Sequence, residues 1–246
     1  MQNKIYLFLL MGLLISACTP SAPSDPVAAE RAAIEALPRP KVSITTQYGK
    51  IVVELFNETP QHRDNFLKLA QEGFYDSLLF HRVQPNFMIQ GGDPDSRGSV
   101  PAEQYLGMGN AEHRIPAEIS SKFILRQGAL CGFHTGVGHH PDKSSNGSQF
   151  MIIHGQPLKG FQVKNLSLKT KVDYTPEQIK LYEMYGGTPQ YDNIYTVFGQ
   201  IIEGIPVLEK IVQAKTYRSM DPTLPDRPVE DIRMIVKVLD APKIES

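Results

Sequence analysis

Short β-prone runs, each ended by glycine, proline or polar turn residues, recur along the chain from residue 41 to residue 239. Valine, isoleucine and phenylalanine are frequent in these runs, whose lengths suit strands better than helices. Two of them, Val42–Thr46 and Ile51–Phe56, flank Tyr48-Gly49 and predict a β-hairpin. The others are Phe80–Val83, Phe87–Gly91, Gly128–Phe133, Gln149–Ile153, Thr196–Ile202 and Ile232–Leu239. So many strands predict a mainly β domain, and closure into a barrel would remove their edges.

Three helices are predicted among the strands. Thr59 as N-cap and Pro60 as the first helical residue begin a helix that Gly73 ends. A second helix is predicted from Thr175 to Tyr185, because a capping box and an N1 proline stand at its start and a glycine pair follows it. A third, shorter helix follows Pro206 through Val212.

The overall composition excludes several classes of protein. The chain has 246 residues, of which 41% are hydrophobic, so one domain can bury a sizeable core. Its 25 Lys and Arg residues against 26 Asp and Glu residues leave a net charge of −1, which predicts no nucleic-acid partner. The two cysteines, Cys18 and Cys131, do not predict a disulfide-stapled fold, because the first lies in an N-terminal address signal.

The N-terminus has the layout of an export signal. In residues 1–17, Lys4 precedes an apolar run of 13 residues, which is short of the roughly 20 needed to span a bilayer. Ile15-Ser16-Ala17-Cys18 resembles the bacterial lipobox and predicts lipidation of Cys18, with a plain signal peptide as the alternative. Residues 18–40 are rich in proline and alanine and predict a spacer. We therefore expect an exported protein, lipid-anchored on the periplasmic side of the cell envelope. Thr19 weakly favours the outer membrane.

One signature carries the chemistry. From Phe80 to Asp93 the sequence reads FHRVQPNFMIQGGD, in which residues two apart, such as Met88 and Gln90, share one face of a strand. This stretch resembles the central signature of the cyclophilins, a family of peptidyl-prolyl isomerases. Asn146–Ile152 and Tyr195–Gly199 are similar to two further segments of that family, in the same order. The resemblance implies a closed eight-stranded antiparallel β-barrel capped by two helices, over residues 41–246, with an insertion around residues 156–189.

The resemblance also assigns roles. It makes Arg82 the catalytic arginine and Pro-containing polypeptides the substrates of a monomeric enzyme. The implied substrate-binding residues are Phe87, Met88 and Met151 around the proline ring, Gln90 and Gln149 on the substrate backbone, Tyr191 and Tyr195 at the far wall, and Phe133, His134 and Thr135 beside the residue before proline. Met151 stands where many members have Phe, and Phe133-His134-Thr135 replaces a common Ala-Asn-Ala.

The residue types suit the reaction on physical grounds. Rotation about an amide is opposed by about 18–20 kcal/mol, because resonance is lost when the bond twists. A guanidinium can donate to the prolyl nitrogen only in that twisted state, which is differential binding of the transition state. No bond breaks, so no cofactor or metal is expected, and His134, His139 and His140 match no closed tetrahedral set. A module or chaperone that binds Pro-containing segments without turnover stays an alternative.

The lipobox generates a prediction. Replacing the acceptor thiol in Cys18→Ala removes the atom that would carry the lipid, so processing should fail or the protein should be released from the membrane. Fractionation of envelope membranes followed by intact-mass measurement checks this. Cys131→Ala serves as the matched control and should fractionate like the wild type. Normally processed, membrane-bound Cys18→Ala protein would contradict lipidation.

Overall fold

The computed structural model describes residues 32–102, 104–109 and 113–240. The signal sequence and Cys18 therefore lie outside the described residues. The chain divides into two compact units with a boundary after Ala36. In the first unit, residues 32–36 are helical. Among the described residues, no helix has the length and apolar character needed to cross a membrane.

Strands dominate the described part of the second unit, which confirms the prediction of a mainly β domain. The strands are β1 (Lys41–Thr46), β2 (Gly49–Leu55), β3 (Phe80–Gln84), β4 (Met88–Gly91), β5 (Arg114–Ile115), β6 (Ala129–Gly132), β7 (Ser145–Asn146), β8 (Phe150–Ile153), β9 (Val197–Glu203) and β10 (Ile235–Asp240). The helices are α1 (Pro60–Gln71), α2 (Gly160–Thr170), α3 (Pro176–Tyr185) and α4 (Ile205–Val212), with short 3-10 turns at Pro94–Ser96, Pro189–Tyr191 and Tyr217–Ser219.

Eight of these strands form one curled antiparallel sheet in the order β10-β1-β2-β9-β6-β8-β4-β3, while β5 and β7 pair separately. The predicted closed barrel is overstated, because the edge strands β3 and β10 do not form a ladder with each other. Instead, the chain before β10 approaches β3 through an isolated bridge between Leu79 and Arg233 and through the Phe80 and Val83 N–H groups, which donate to the Ile232 and Asp226 carbonyls. That approach contains Pro225 and Pro228, which have no N–H to donate to a ladder. The sheet is therefore a curled half-barrel.

The main core fills the inside of the curl and is covered by two helices. Helix α1 contributes Phe66, whose ring centroid lies 4.9 Å from that of Tyr75, 5.4 Å from Phe150 and 5.5 Å from Phe198. Helix α4, the predicted third helix, contributes three further apolar residues on one face. The strands supply the remaining buried side chains, among them Val42, Ile44, Ile51, Val53, Leu55, Ile89, Leu130, Ile152 and Val236.

The start of α1 differs from the prediction in its cap. Thr59 occupies the predicted N-cap position, and its carbonyl accepts from the Arg63 N–H, but its hydroxyl donates to the Phe56 carbonyl and makes no capping hydrogen bond. The free N–H groups of Gln61 and His62 instead donate to the Glu118 carboxylate, at 3.0 and 2.9 Å. The His62 ring Nδ1 also lies 2.7 Å from Glu118 Oε2. A carboxylate distant in sequence therefore satisfies the helix N-terminus, with the favourable charge for that end.

The predicted insertion is folded as two helices. Helix α3 has the predicted capping box, with the Thr175 hydroxyl accepting from the Gln178 N–H, which confirms the prediction for this helix. Helix α2 was not predicted, because its start lacks the usual capping residues: Lys159 occupies the N-cap position. Val163 of α2 and Tyr182 of α3 are both fully buried and pack together with Ile124 in a small separate cluster.

The Glu118 cap gives a stability prediction. Glu118→Ala removes both N-terminal hydrogen bonds of α1, so the free energy of unfolding at pH 7 should fall by about 2 kcal/mol. Burial raises the pKa of Glu118, but hydrogen bonds from the His62 ring and the backbone outweigh it and leave the pKa below its usual 4.5. The stabilisation is therefore present above pH 4.5 and is lost as the pH falls through the lowered pKa.

Urea unfolding of wild type and variant between pH 7 and about pH 3 measures both effects. Glu72→Ala, at the exposed C-terminal end of the same helix, should change the free energy of unfolding by less than about 0.5 kcal/mol. Equal stability of Glu118→Ala and Glu72→Ala at pH 7 would contradict the capping role.

Candidate active site

Strand register places the signature residues in one row across the sheet. Arg82 of β3 pairs with Gln90 of β4, Gln90 pairs with Met151 of β8, and Met151 pairs with Cys131 of β6. Directly paired residues share a sheet face, so these side chains lie together. They lie on the face opposite the main core, where Met88, Phe133 and Val197 belong with Met151 and Cys131 to a second apolar cluster. The sequence predicted this shared face for Met88 and Gln90.

The Arg82 guanidinium is held from three sides. Nη1 donates to Gln90 Oε1 at 3.3 Å, Nη2 donates to Gln84 Oε1 at 3.1 Å, and Nε lies 3.7 Å from Asp226 Oδ2. The Gln84 amide also donates to Asp226 Oδ2 at 2.5 Å, so that the partners of Arg82 are hydrogen-bonded to each other as well. The Arg82 side chain keeps 37% of its surface exposed. A cation with a fixed plane and an exposed face therefore stands at the sheet edge.

Two buried glutamines support this arrangement. The Gln90 amide donates to Gln149 Oε1 at 2.8 Å, and Gln90 is only 1% exposed. The Gln149 amide donates in turn to the carbonyl oxygens of Gly107, at 3.0 Å, and Gly109. Gly107 has φ of +105°, a conformation that favours glycine. The chain of amides fixes Gln90 with its Oε1 toward Arg82.

Aromatic side chains cover the apolar part of the site. The Phe87 and Tyr191 ring centroids lie 5.0 Å apart, and Tyr195 follows 6.2 Å from Tyr191. All three are partly buried and pack against the second cluster, in which Met88 is 0% and Met151 is 1% exposed. The predicted proline-ring residues are thus brought together, with the two methionines as a floor and the aromatic rings as exposed walls.

The segment 133–135 divides its residues between the groove and the protein interior. Phe133 and Thr135 border a groove beside Arg82 and Gln90, whereas the His134 side chain is fully buried. His134 Nδ1 accepts from the Gly136 N–H and Nε2 lies 3.0 Å from the Ile194 carbonyl, so the ring carries its proton on Nε2. Burial lowers the pKa of His134, which keeps the ring neutral. Both ring nitrogens of His134 are engaged within the protein.

A cleft of about 260 Å³ opens beside Arg82. Gln90, Phe133 and Thr135 border it on one side, and the segments 104–108 and 225–227 on the other, while Phe87, Met88 and Met151 lie outside its lining. His81 lines the cleft as well, and burial together with the nearby Arg82 charge lowers its pKa to about 3. The imidazole is therefore neutral, and the guanidinium groups supply the positive charge on this side.

Sequence reasoning missed several residues of this site. Gln84 could have been found, since it lies two residues from Arg82 on the same strand and hence on the same face. Asp226, which also pairs with Arg218 at 2.8 Å, had no local signal. Nor did Gly107, whose carbonyl orients Gln149. These partners come from loops that tertiary structure brings to the strand edge.

Metal and thiol chemistry find no support in the described part of the chain. No group of three or more His, Cys, Asp or Glu side chains in that part could hold a metal ion. Cys131 is fully buried beneath the apolar cluster, and burial raises the pKa of its thiol. A buried neutral thiol is a poor nucleophile.

The family is decided by the agreement of this geometry with a family model. The model described as cyclophilin type peptidyl-prolyl cis-trans isomerase/CLD matches residues 41–238, which include all but the last two residues of the curled sheet and every candidate active-site residue named above. The chain belongs to the cyclophilin-type peptidyl-prolyl cis-trans isomerases. The predicted family and isomerase activity are thereby confirmed.

Relatives and solved structures agree with this family. The cyclophilin is 36% identical over 195 residues to a Staphylococcus haemolyticus protein named "Putative peptidyl-prolyl cis-trans isomerase", covering 78% of this chain and 87% of that one. It is 33% identical over 196 residues to a Streptococcus pyogenes "Putative bifunctional phosphatase/peptidyl-prolyl cis-trans isomerase", covering 78% of this chain but only 37% of that longer protein. A crystal structure of a Cryptosporidium parvum cyclophilin type isomerase matches with a TM-score of 0.59 and 25% identity, covering 83% of this chain and 99% of that one.

The ion pair of Asp226 generates a prediction for this cyclophilin. Asp226→Asn keeps the side-chain shape but removes the charge that orients Arg82, so kcat/KM for a Xaa-Pro peptide should fall about tenfold, or ~1.4 kcal/mol. A protease-coupled isomerisation assay measures this. Asp221→Asn, an exposed carboxylate of the same segment that contacts Thr223, should retain the wild-type rate. Equal rates for the two variants would contradict the orienting role.

Proposed function

We propose that this isomerase acts on Xaa-Pro bonds of exported, incompletely folded polypeptides, with Arg82 as its catalytic residue. One observation carries the proposal: the Arg82 guanidinium is fixed by Gln84, Gln90 and Asp226 and still exposes a face to the groove. An arginine needed only for structure would not require an exposed face on a cleft. Binding a proline ring without turnover would not require the arginine either.

The catalytic step follows from the electronic structure of the amide. When the Xaa-Pro bond twists, resonance is lost and the prolyl nitrogen regains a lone pair. A guanidinium N–H can donate to that lone pair, and no such acceptor exists in either planar ground state. The interaction therefore stabilises the transition state alone, which is the requirement for a larger kcat. Because Arg82 is held in place before the substrate binds, little reorganisation is needed during the rotation.

The proline ring is proposed to lie against Phe87 and Tyr191, above Met88 and Met151. The partly exposed rings offer apolar contact, and the unbranched methionines can adjust to the ring. A low-polarity pocket also disfavours the charge-separated planar imide relative to the twisted form. A further Cryptosporidium parvum structure of the same cyclophilin, in the presence of the dipeptide Ala-Pro, matches this chain with a TM-score of 0.56 and 25% identity. That likeness supports a Xaa-Pro segment as the ligand.

The substrate backbone is proposed to meet the segment 133–135 beside Gln90. The Phe133 N–H and carbonyl are taken by Gln149 and Asn146, so contact with the residue before proline is assigned to the backbone of His134 and Thr135. Gln90 borders the cleft together with Phe133 and Thr135, whereas Gln149 is buried and acts by holding the Gln90 amide.

The place of action is also a proposal. The lipobox at Cys18 and the spacer to residue 40 support a monomer tethered by lipid to the cell envelope, with the domain on the periplasmic side and the outer membrane favoured. A net charge of −1 supports polypeptide clients over polyanions. The Cys18 variant described above tests the anchor independently of the activity.

The catalytic proposal predicts a separation of turnover from binding. Arg82→Ala should lower kcat by about 10² or more, because a preorganised donor is lost in the transition state. Arg82→Lys should also be slow, since an ammonium lacks the planar fork. The Kd for a Pro-containing peptide should change much less, because the apolar contacts remain. Isomerisation kinetics and peptide titration by calorimetry give the two quantities.

Lys237→Ala is the control, as it removes an exposed cation on β10 whose partner is Asp76, outside the groove. It should retain wild-type kcat. If the wild-type protein binds the peptide but shows no isomerisation above background, the binding-module alternative is favoured over the enzyme. Full activity of Arg82→Ala would remove Arg82 from the mechanism.

A further inference from the structure

A buried carboxylate joins the inserted helices to the groove. Asp192 is only 4% exposed. Its Oδ1 accepts from the Leu125 N–H at 2.8 Å, and its Oδ2 accepts from the hydroxyls of Tyr182 at 2.5 Å and Tyr174 at 2.8 Å. Tyr182 lies on α3 and Tyr174 lies between α2 and α3. Besides the apolar contact of Val163 and Tyr182 with Ile124, two tyrosine hydroxyls on one carboxylate thus connect the insertion to the rest of the domain.

The carboxylate lies within the segment that carries the aromatic wall. Tyr191 precedes Asp192 directly, and its ring lies 5.0 Å from Phe87. The Asp192 N–H donates to the Pro189 carbonyl, closing a 3-10 turn, and the Ile194 N–H donates to the Tyr191 carbonyl. A shift of Asp192 would therefore move the backbone of Tyr191 with it.

We propose that the α2–α3 insertion positions the proline pocket, with Asp192, Tyr174 and Tyr182 as positioning residues that fix Tyr191 against Phe87. This inference rests on the proposed function, since it names the support of the same pocket. It assigns the insertion a role in binding the substrate.

The two hydrogen-bond sets in the site share no residue. Arg82 is held by Gln84, Gln90 and Asp226, whereas Tyr191 is held through Asp192 and the two tyrosines. Loss of a hydrogen bond around Asp192 should weaken the contact of Tyr191 with the proline ring. It should leave the Arg82 guanidinium in place as the donor to the prolyl nitrogen. The expected signature is a higher KM and a nearly unchanged kcat.

The protonation state of Asp192 gives a second signature. Burial raises the pKa of Asp192 to about 6, although the hydrogen bonds from Tyr182, Leu125 and Tyr174 oppose the rise. The pKa values of both tyrosines are raised, chiefly by burial, so they stay donors, and the nearby Cys131 thiol stays neutral. An ionised carboxylate accepts all three bonds, whereas a protonated one must turn one oxygen into a donor. Tyr174 can then donate to the Pro189 carbonyl, 3.0 Å away.

The experiment compares Tyr182→Phe with Tyr185→Phe in the full domain. Tyr185 lies on the same helix, is exposed and stacks on Arg126, so its variant should match the wild type. Tyr182→Phe should raise KM and the Kd for an Ala-Pro peptide about five- to tenfold, with kcat within twofold. Tyr174→Phe, a part-buried position, is the second variant and should act in the same direction.

The pH profile separates positioning from simple stability. Wild-type KM should rise as the pH falls from 7.5 to 5, and Asp192→Asn should abolish that dependence. Unchanged KM and Kd in folded Tyr182→Phe and Tyr174→Phe, with Arg82→Ala inactive, would overturn the positioning role alone. Peptide Kd values keep the test valid if turnover is absent, because Tyr182→Phe should still weaken binding.

Discussion

The site depends on the antiparallel register of β3, β4, β8 and β6. Side chains alternate across a strand, so a slip of one residue would exchange the two faces of the sheet. Arg82, Gln90 and Met151 would then point into the main core, and Ile89 and Ile152 would point away from it. Burial of the isoleucines on the inner face therefore fixes the position of the row formed by Arg82, Gln90 and Met151 on the outer face. The same apolar pattern that folds the sheet builds the groove.

Local signals account for what the sequence could predict. The hairpin of β1 and β2, helix α3 with its Thr175 cap, and the shared face of Met88 and Gln90 each depend on residues near one another in the chain. The partners that could not be predicted, Glu118 at the start of α1 and Asp226 beside Arg82, come from distant loops. The prediction of a closed barrel was overstated for a similar reason. Whether two edge strands meet is a long-range property that strand patterns do not encode.

The charged groups around Arg82 leave its N–H groups able to donate hydrogen bonds to a substrate. Asp226 is shared with Arg218, at 2.8 Å, while it lies 3.7 Å from Arg82 Nε. A closer, unshared carboxylate would hold the guanidinium in a two-point ion pair and occupy the N–H groups that are proposed to donate to the prolyl nitrogen. Neutral amide oxygens from Gln84 and Gln90 orient the plane instead. The arginine is thus fixed in direction without being neutralised.

Asp192 lowers the stability of the fold at neutral pH. Its pKa in the folded protein, about 6, lies above the usual 3.8, because burial disfavours the charged form. Its contribution to stability is therefore greatest below pH 3.8 and is lost as the pH rises through 6. At neutral pH the fold carries an unfavourable buried charge that only three donors offset, and apolar residues of similar volume often serve a core equally well. The proposed positioning role accounts for a carboxylate at this place, since its two oxygens direct three hydrogen bonds next to Tyr191.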